Sequence, residues 1–170
     1  MKVIFRFQQH QSRIRIPGFF LFGAILFCAS STFSQARNLG PKDTFAAAGL
    51  TAKEVREITD GVEQSAYDTP DSWTSELRVR RVDLGSAPGI VVQGTELLCG
   101  GTGNCQTWVF RKAAGKWVSM FADQAPLADS FQFGPTSTGG VKDFIITTNS
   151  SAEASQRVIY KFDGKLYRTK

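Results

Sequence analysis

The chain has 170 residues, 42% of them hydrophobic, with 20 Lys and Arg against 15 Asp and Glu, a formal charge of +5. Four of the cations, none of the acids and the lone histidine fall within residues 1–36. The other 134 residues carry 16 cations against 15 acids, so charge gives no support for nucleic-acid or acidic-membrane binding. Nor do they contain a histidine for a Ser-His or Cys-His nucleophile or for a His-bearing zinc site.

Residues 1–36 have the order of parts of an export signal. Lys2, Arg6, Arg13 and Arg15 open the chain, residues 19–29 form an uncharged apolar run, and Ser34-Gln35-Ala36 offers a small-x-small cleavage site. This pattern predicts a signal peptide over 1–36, a single mature domain over 37–170, and a periplasmic or secreted destination. The alternative is an uncleaved anchor over residues 16–33. Pro17, Gly18, Cys28 and Ser30-Ser31-Thr32 interrupt it, whereas a span needs roughly 20 mostly apolar residues. No stable membrane span is therefore expected after cleavage.

Residues 37–75 form an N-terminal segment. Residues 37–42 read as a loose mature terminus, and residues 43–48 as a short helical turn ended by Gly49. Thr51 and Glu54 have capping-box spacing. Val55, Ile58, Val62 and Ala66 then recur at helical intervals. They predict a helix over 52–66 whose apolar stripe packs on a sheet, with Gly61 as its weak point. Residues 68–72 (Asp-Thr-Pro-Asp-Ser) are a loop by composition, and Trp73 follows them.

From Glu76 onward the chain changes to short β-type runs. Leu77 and Val79 alternate with arginines, then the apolar phase slips to Val82 and Leu84, which predicts a bulge near Arg80-Arg81. Two segments, 76–121 and 130–170, read as candidate repeated meanders. Residues 144–148 match 90–94, residues 156–161 match 106–111, and Gly164-Lys165-Leu166 matches Gly115-Lys116-Trp117. The predicted fold is α+β, mainly β: an N-terminal helix and about eight short antiparallel strands in two meanders. These would form a sandwich or partly closed barrel, or alternatively two propeller-like blades.

Beyond the signal only Cys99 and Cys105 remain, separated by Gly100, Gly101, Thr102, Gly103 and Asn104. A disulfide is the simplest use of such a pair in an oxidising compartment, with free thiols or a metal as lesser alternatives. Closing so small a loop stabilises by about 2 kcal/mol. The glycines allow close backbone approach, and successive amides can form an anion nest. Trp108 could stack on a ligand from beside this loop, or face the core beneath a rigid hairpin tip. The connection holding the cysteines is also the longer of the two central ones, 17 positions from Gly89 to Gln106 against 13 from Asp143 to Gln156.

Other features compete with the loop. Trp73, Trp117, Tyr160 and Tyr167 could form a carbohydrate or peptide platform, although alternating strand aromatics usually fill cores. Arg78, Arg80 and Arg81 form a basic stripe. Asp68, Asp71, Glu76 and Asp83 are the densest acids, but glycoside hydrolysis needs two carboxyls at a defined separation. No catalytic residue, metal ligand or cofactor is assigned.

Residues 98–110, Leu-Cys-Gly-Gly-Thr-Gly-Asn-Cys-Gln-Thr-Trp-Val-Phe, and residues 160–167, Tyr-Lys-Phe-Asp-Gly-Lys-Leu-Tyr, resemble a group of secreted bacterial proteins of unassigned function. That group shares a Cys-Gly-Gly-x-Gly-Asn-Cys hairpin and a Phe-Asp-Gly-x-x-Tyr ending. The resemblance implies bacterial export and carries no activity. These readings point to an exported non-enzymatic binding domain for an envelope protein or glycan. Gly100, Gly101, Thr102, Gly103, Asn104, Trp108 and Trp73 are its candidate contacts. A carboxylate-dependent hydrolase of a cell-envelope substrate and a structural accessory subunit are the alternatives.

Overall fold

The computed structural model describes residues 38–66, 72–151 and 154–169, so the signal peptide expected over 1–36 and the acids Asp68 and Asp71 lie outside the described residues. The described part is mainly β, with one α-helix and two antiparallel sheets. Helix α1 spans Ala52–Glu63, and the first sheet has the order β1 (Leu77–Asp83), β2 (Pro88–Gly94), β3 (Cys105–Ala113) and β4 (Lys116–Ser119). A two-residue strand, β5 (Leu127–Ala128), pairs with β3 beside it. The second sheet has the order β6 (Ser130–Thr138), β7 (Val141–Asn149), β8 (Ser155–Phe162) and β9 (Tyr167–Thr169). Neither sheet closes into a barrel, and β5 takes the number of described strands to nine.

The helix begins where the capping box predicts. Thr51 Oγ1 accepts the Glu54 amide while the Glu54 carboxylate accepts the Thr51 amide. It ends three residues short of the expected Ala66. Just beyond its end Ser65 donates back to Gly61 O and Val62 O while accepting Ala125 N at its carbonyl and the Trp108 indole at its hydroxyl. Its buried face, Ile58 and Val62, packs on Ile90, Val92, Trp108, Phe110 and Trp117 of the first sheet. Gly61 is a point of close approach and not simply a weak point. A Cβ there would lie 2.7 Å from the buried Phe110 ring.

Glu54 also ties the helix to the sheet. It accepts from Lys112 Nζ at 2.9 Å and from Trp117 Nε1 at 3.1 Å. Lys112 first, then the Thr51 amide and the Trp117 indole, hold its carboxyl at about 2 against an ordinary 4.5. A depressed carboxylate pKa stabilises the fold above its unfolded value, and the contribution is lost as pH falls through the folded one. The thermal midpoints of wild type and a Glu54→Gln variant should therefore differ near neutral pH and converge between pH 4.5 and about 2. A difference that stays constant through that window would remove Glu54 from the acid response.

The other face of the first sheet carries Leu84, Val91 and Val109. It packs on Phe131, Phe144, Ile146, Phe162 and Tyr167 of the second sheet. The first sheet is thus the middle of three layers, which is why every residue of β2 after Pro88 is buried. This placement also corrects the expected bulge. β1 pairs with β2 without a register shift from Leu77↔Gly94 to Asp83↔Pro88. Leu77 and Val79 serve the helix-side core while Val82 and Leu84 serve the inter-sheet core, so the apolar phase changes with no extra residue. The described bulge lies in β6, between Phe133 and Ser137.

The two sheets share one register. Ile90↔Phe110 and Val91↔Val109 in the first correspond to Phe144↔Tyr160 and Ile145↔Ile159 in the second. In the last strand the alignment expected from sequence is off by one. Lys112 pairs with Trp117 and Phe162 with Tyr167, so Tyr167, not Leu166, stands in the place of Trp117. Corresponding faces also point the same way, since Ile90 and Phe110 face the helix while Phe144 and Tyr160 face the first sheet. The sheets are therefore stacked and not mirrored. On the outer face of the second sheet Arg157, Lys161 and Arg168 stand where the first sheet has Thr107, Arg111 and Val118, and charged side chains there end the stack.

The N-terminal segment is not loose. Leu39 is 8% exposed within the inter-sheet core, and its amide donates to Gln93 Oε1 at 2.9 Å. Asp43 receives Arg80 through two bonds of 2.8 and 2.6 Å, and its carbonyl accepts Val79 N on the outer edge of β1. The Phe-Asp-Gly-x-x-Tyr ending forms the β8–β9 turn. Asp163 Oδ1 accepts the amides of Lys165 and Leu166, and Gly164 takes a φ of 104°.

Candidate functional site

The Cys99–Cys105 loop is built by local constraints on both sides. β2 ends at Gly94, where a Cβ would lie 2.4 Å from Leu98 Cβ, so only glycine lets the following 3₁₀ turn, Glu96–Leu98, fold back. Glu96 enters that turn at φ 23°, a strained value for a residue with a side chain. The turn buries Leu98 and leaves Leu97 59% exposed. Cys99 and Cys105 are joined by a disulfide. Inside the ring Gly100 N donates to Asn104 O at 2.7 Å, and Gly103 N to Gly100 O at 2.9 Å. Those two amides are spent within the loop, which weakens the anion-nest reading.

Asn104 fastens the loop to the second sheet. Its Nδ2 donates to Asn149 O at 2.7 Å and to Thr102 Oγ1 at 2.6 Å, and its Oδ1 accepts Asn149 N at 2.8 Å. The side chain completes both backbone groups of Asn149 as a neighbouring strand would, and Asn104 is only 5% exposed. Removing it would take both hydrogen-bond partners from the half-buried Asn149 backbone, at about 1–3 kcal/mol for the two bonds together. We expect Asn104→Ala to cost that much in urea melts, and Asn104→Asp to cost at least as much, because it sets a carboxylate oxygen against the Asn149 carbonyl in a nearly buried position. A loss below about 0.5 kcal/mol for the alanine variant would show that the clamp does not order the loop.

Gly100, Gly101, Thr102 and Gly103 are exposed, and a Cβ at Gly101 or Gly103 would meet no atom within 4 Å. Gly103 still needs its φ of 79°, so it is replaceable in space but not in conformation. Exposed aliphatic side chains flank the ring. Leu97 lies two residues before Cys99, and Leu127, 39% exposed, is in register with Gln106 beside Cys105. Trp73 opens the 3₁₀ turn Trp73–Glu76, which packs on the turn holding Leu97 and receives Thr95 N and Oγ1 at Glu76 O. It is partly buried against the helix-side core.

The structure thus brings residues 100–103, Trp73 and two unanticipated leucines to one end of the molecule. It does not bring Trp108 there. Trp108 is 0% exposed on the helix side of the sheet, its indole N–H donated to Ser65 Oγ at 3.1 Å, and a ring without exposed surface offers no stacking platform. Trp117 and Tyr167 are buried as well. The Glu-Leu-Leu-Cys order was the available signal for Leu97, since a single turn cannot bury two consecutive leucines.

The arginines of β1 are occupied. Arg80 binds Asp43, Arg81 donates to Ala48 O and Gly49 O, and Arg78 donates to Ser75 O and Leu77 O. Of the described acids, Glu76 and Asp83 flank opposite ends of β1, roughly 20 Å apart at ~3.3 Å per residue, too far for a glycosidase pair. Asp143, 2% exposed, accepts Thr136 Oγ1 and Thr138 Oγ1 and faces Lys161 Nζ at 3.5 Å. Burial pushes its carboxyl up, but the two threonines and Lys161 outweigh it and leave it below the ordinary value, which suits a pin for the β6 bulge. Among the described residues no three His, Cys, Asp or Glu side chains gather to hold a metal, and no helix is long and apolar enough to cross a membrane. No protein-family model, no curated protein and no solved structure matches this chain.

Proposed function

We propose that this chain is an exported, non-enzymatic binding domain that engages an envelope protein through the end of the molecule carrying the Cys99–Cys105 loop. One observation carries the reading: residues 100–103 are exposed yet held by a disulfide, two internal backbone bonds and the Asn104 clamp. A contact element ordered before binding loses little entropy on association. Leu97 and Leu127 beside it supply desolvation area. The exposed groups are aliphatic side chains and backbone, which favours a protein over a sugar, for which an open aromatic ring is the usual platform. Export rests on the signal pattern of residues 1–36, and a disulfide fits an oxidising compartment.

The test places a photo-crosslinking side chain at Leu127, exposed beside the ring, in the exported protein. It should trap a discrete envelope protein, and Leu97→Asp or bulky replacements at Gly101 and Thr102 should abolish trapping while the melting curve stays unchanged. Trapping that survives both changes in a folded protein would assign the loop to architecture alone.

A further inference from the structure

A second surface lies on the far edge of the first sheet. β4 ends the strand order, and its bonding phase is set by Met120 N donating to Val109 O at 2.8 Å. In an antiparallel ladder the phase alternates, so Val118 bonds to β3 while the backbone groups of Trp117 and Ser119 point away from it. Between that edge and α1 lies a cavity of about 320 Å³, whose lining includes Glu57, Asp60, Gly61, Gln64, Trp117 and Ser119. Gly61 contributes no side chain to the wall, and the helix approaches the Phe110 ring closely at that position.

One groove contact already imitates a ligand. Glu57 Oε2 accepts the Trp117 amide at 3.0 Å, where the carbonyl of an added strand would sit. We infer that the groove between α1 and β4 takes an extended peptide segment bearing a basic side chain, which adds to the β4 edge and displaces Glu57 from Trp117 N. Strand addition of this kind draws affinity from main-chain bonds and specificity from side-chain pockets. Here the carbonyl of Trp117 and the amide of Ser119 supply the bonds. The helix wall supplies the specificity, because Glu57 and Asp60 line the groove against one lining cation, Lys116 of β4. Lys53 reaches Glu57 only at 3.9 Å from an exposed position, and a displaced Glu57 carboxylate remains beside the ligand. With two acids against Lys116, the lining favours a basic side chain over an acidic one on the helix side of the groove.

The probe is a short peptide of alternating valine and threonine with one central arginine, titrated into the folded domain. Amide exchange and NMR shifts provide the readout. We expect saturable binding that slows exchange at Ser119 and moves the Trp117 and Glu57 signals. Methylating the peptide nitrogen that faces Trp117 O should abolish binding. Replacing the arginine by glutamate, or Asp60 by lysine in the protein, should weaken it on the order of fivefold. Absence of saturable binding at millimolar peptide would overturn the inference. So would binding indifferent to methylation, shifts that map away from β4 and α1, or protection of Ser119 by self-association without peptide.

Discussion

Replacing Phe144 by alanine is expected to destabilise the domain by about 3–5 kcal/mol, the usual range for a buried aromatic. Its ring is fully buried at the join between the two sheets. Ring centroids of Phe133, Tyr167, Phe131, Phe121 and Tyr160 lie 5.4, 5.8, 5.9, 6.1 and 6.3 Å away. A cavity there removes contacts with both layers at once, and neighbours held by their own strands collapse into it only partly. Against a typical total of about 5–15 kcal/mol, the loss is a large share of stability. Urea melts monitored by tryptophan fluorescence measure it directly. A loss under about 1 kcal/mol would mean that the sheets do not depend on this residue for their union.

Trp108→Ala is expected to cost a similar amount, about 3–5 kcal/mol, and its conservative partner Trp108→Phe much less. The alanine variant empties the space between α1 and β3, while phenylalanine keeps most of the volume and removes only the indole donor from Ser65. The pair separates packing from recognition. If Trp108 acts only as core, the phenylalanine variant retains whatever the Cys99–Cys105 end captures. Loss of capture by a stably folded Trp108→Phe protein would return this residue to the binding surface, against its complete burial.

The parts of the fold that were legible in advance are those decided by neighbours in sequence. Thr51 and Glu54 lie within one helical turn, so their spacing is sufficient to start α1. Cys99 and Cys105 are separated by five residues, three of them glycine, a connection short and pliable enough to close in an oxidising compartment. Strand pairing within each sheet was also partly readable. The match of residues 90–94 and 106–111 with 144–148 and 156–161 placed Ile90–Phe110 and Phe144–Tyr160 at equivalent points of the two registers.

The residues misjudged from sequence are those whose role depends on a second layer. The apolar phase of β1 changes at Val82 because one half of the strand faces α1 and the other half faces the second sheet. A one-dimensional pattern offers only a bulge as explanation. Leu39 was assigned to a loose terminus because its partners, Gln93 and the inter-sheet core, are formed by residues far along the chain. The same distance hid the Asn104 clamp, which joins positions 45 apart.

Chain order by itself thus determined the helix cap, the disulfide ring, the mainly β composition and part of the pairing within each sheet. All of these follow from contacts within a few residues or from strand alternation. Tertiary structure alone decided that the first sheet is covered on both faces, and so that Trp108 serves the core. It also decided that Leu97 and Leu127 reach the surface beside the ring, and that the β4 edge lies beside Glu57 and Asp60 of α1. The physical reason is that burial belongs to layers and not to segments. A side chain's period along the chain says which face of its strand it occupies, and only the packing of one sheet on another says whether that face meets water.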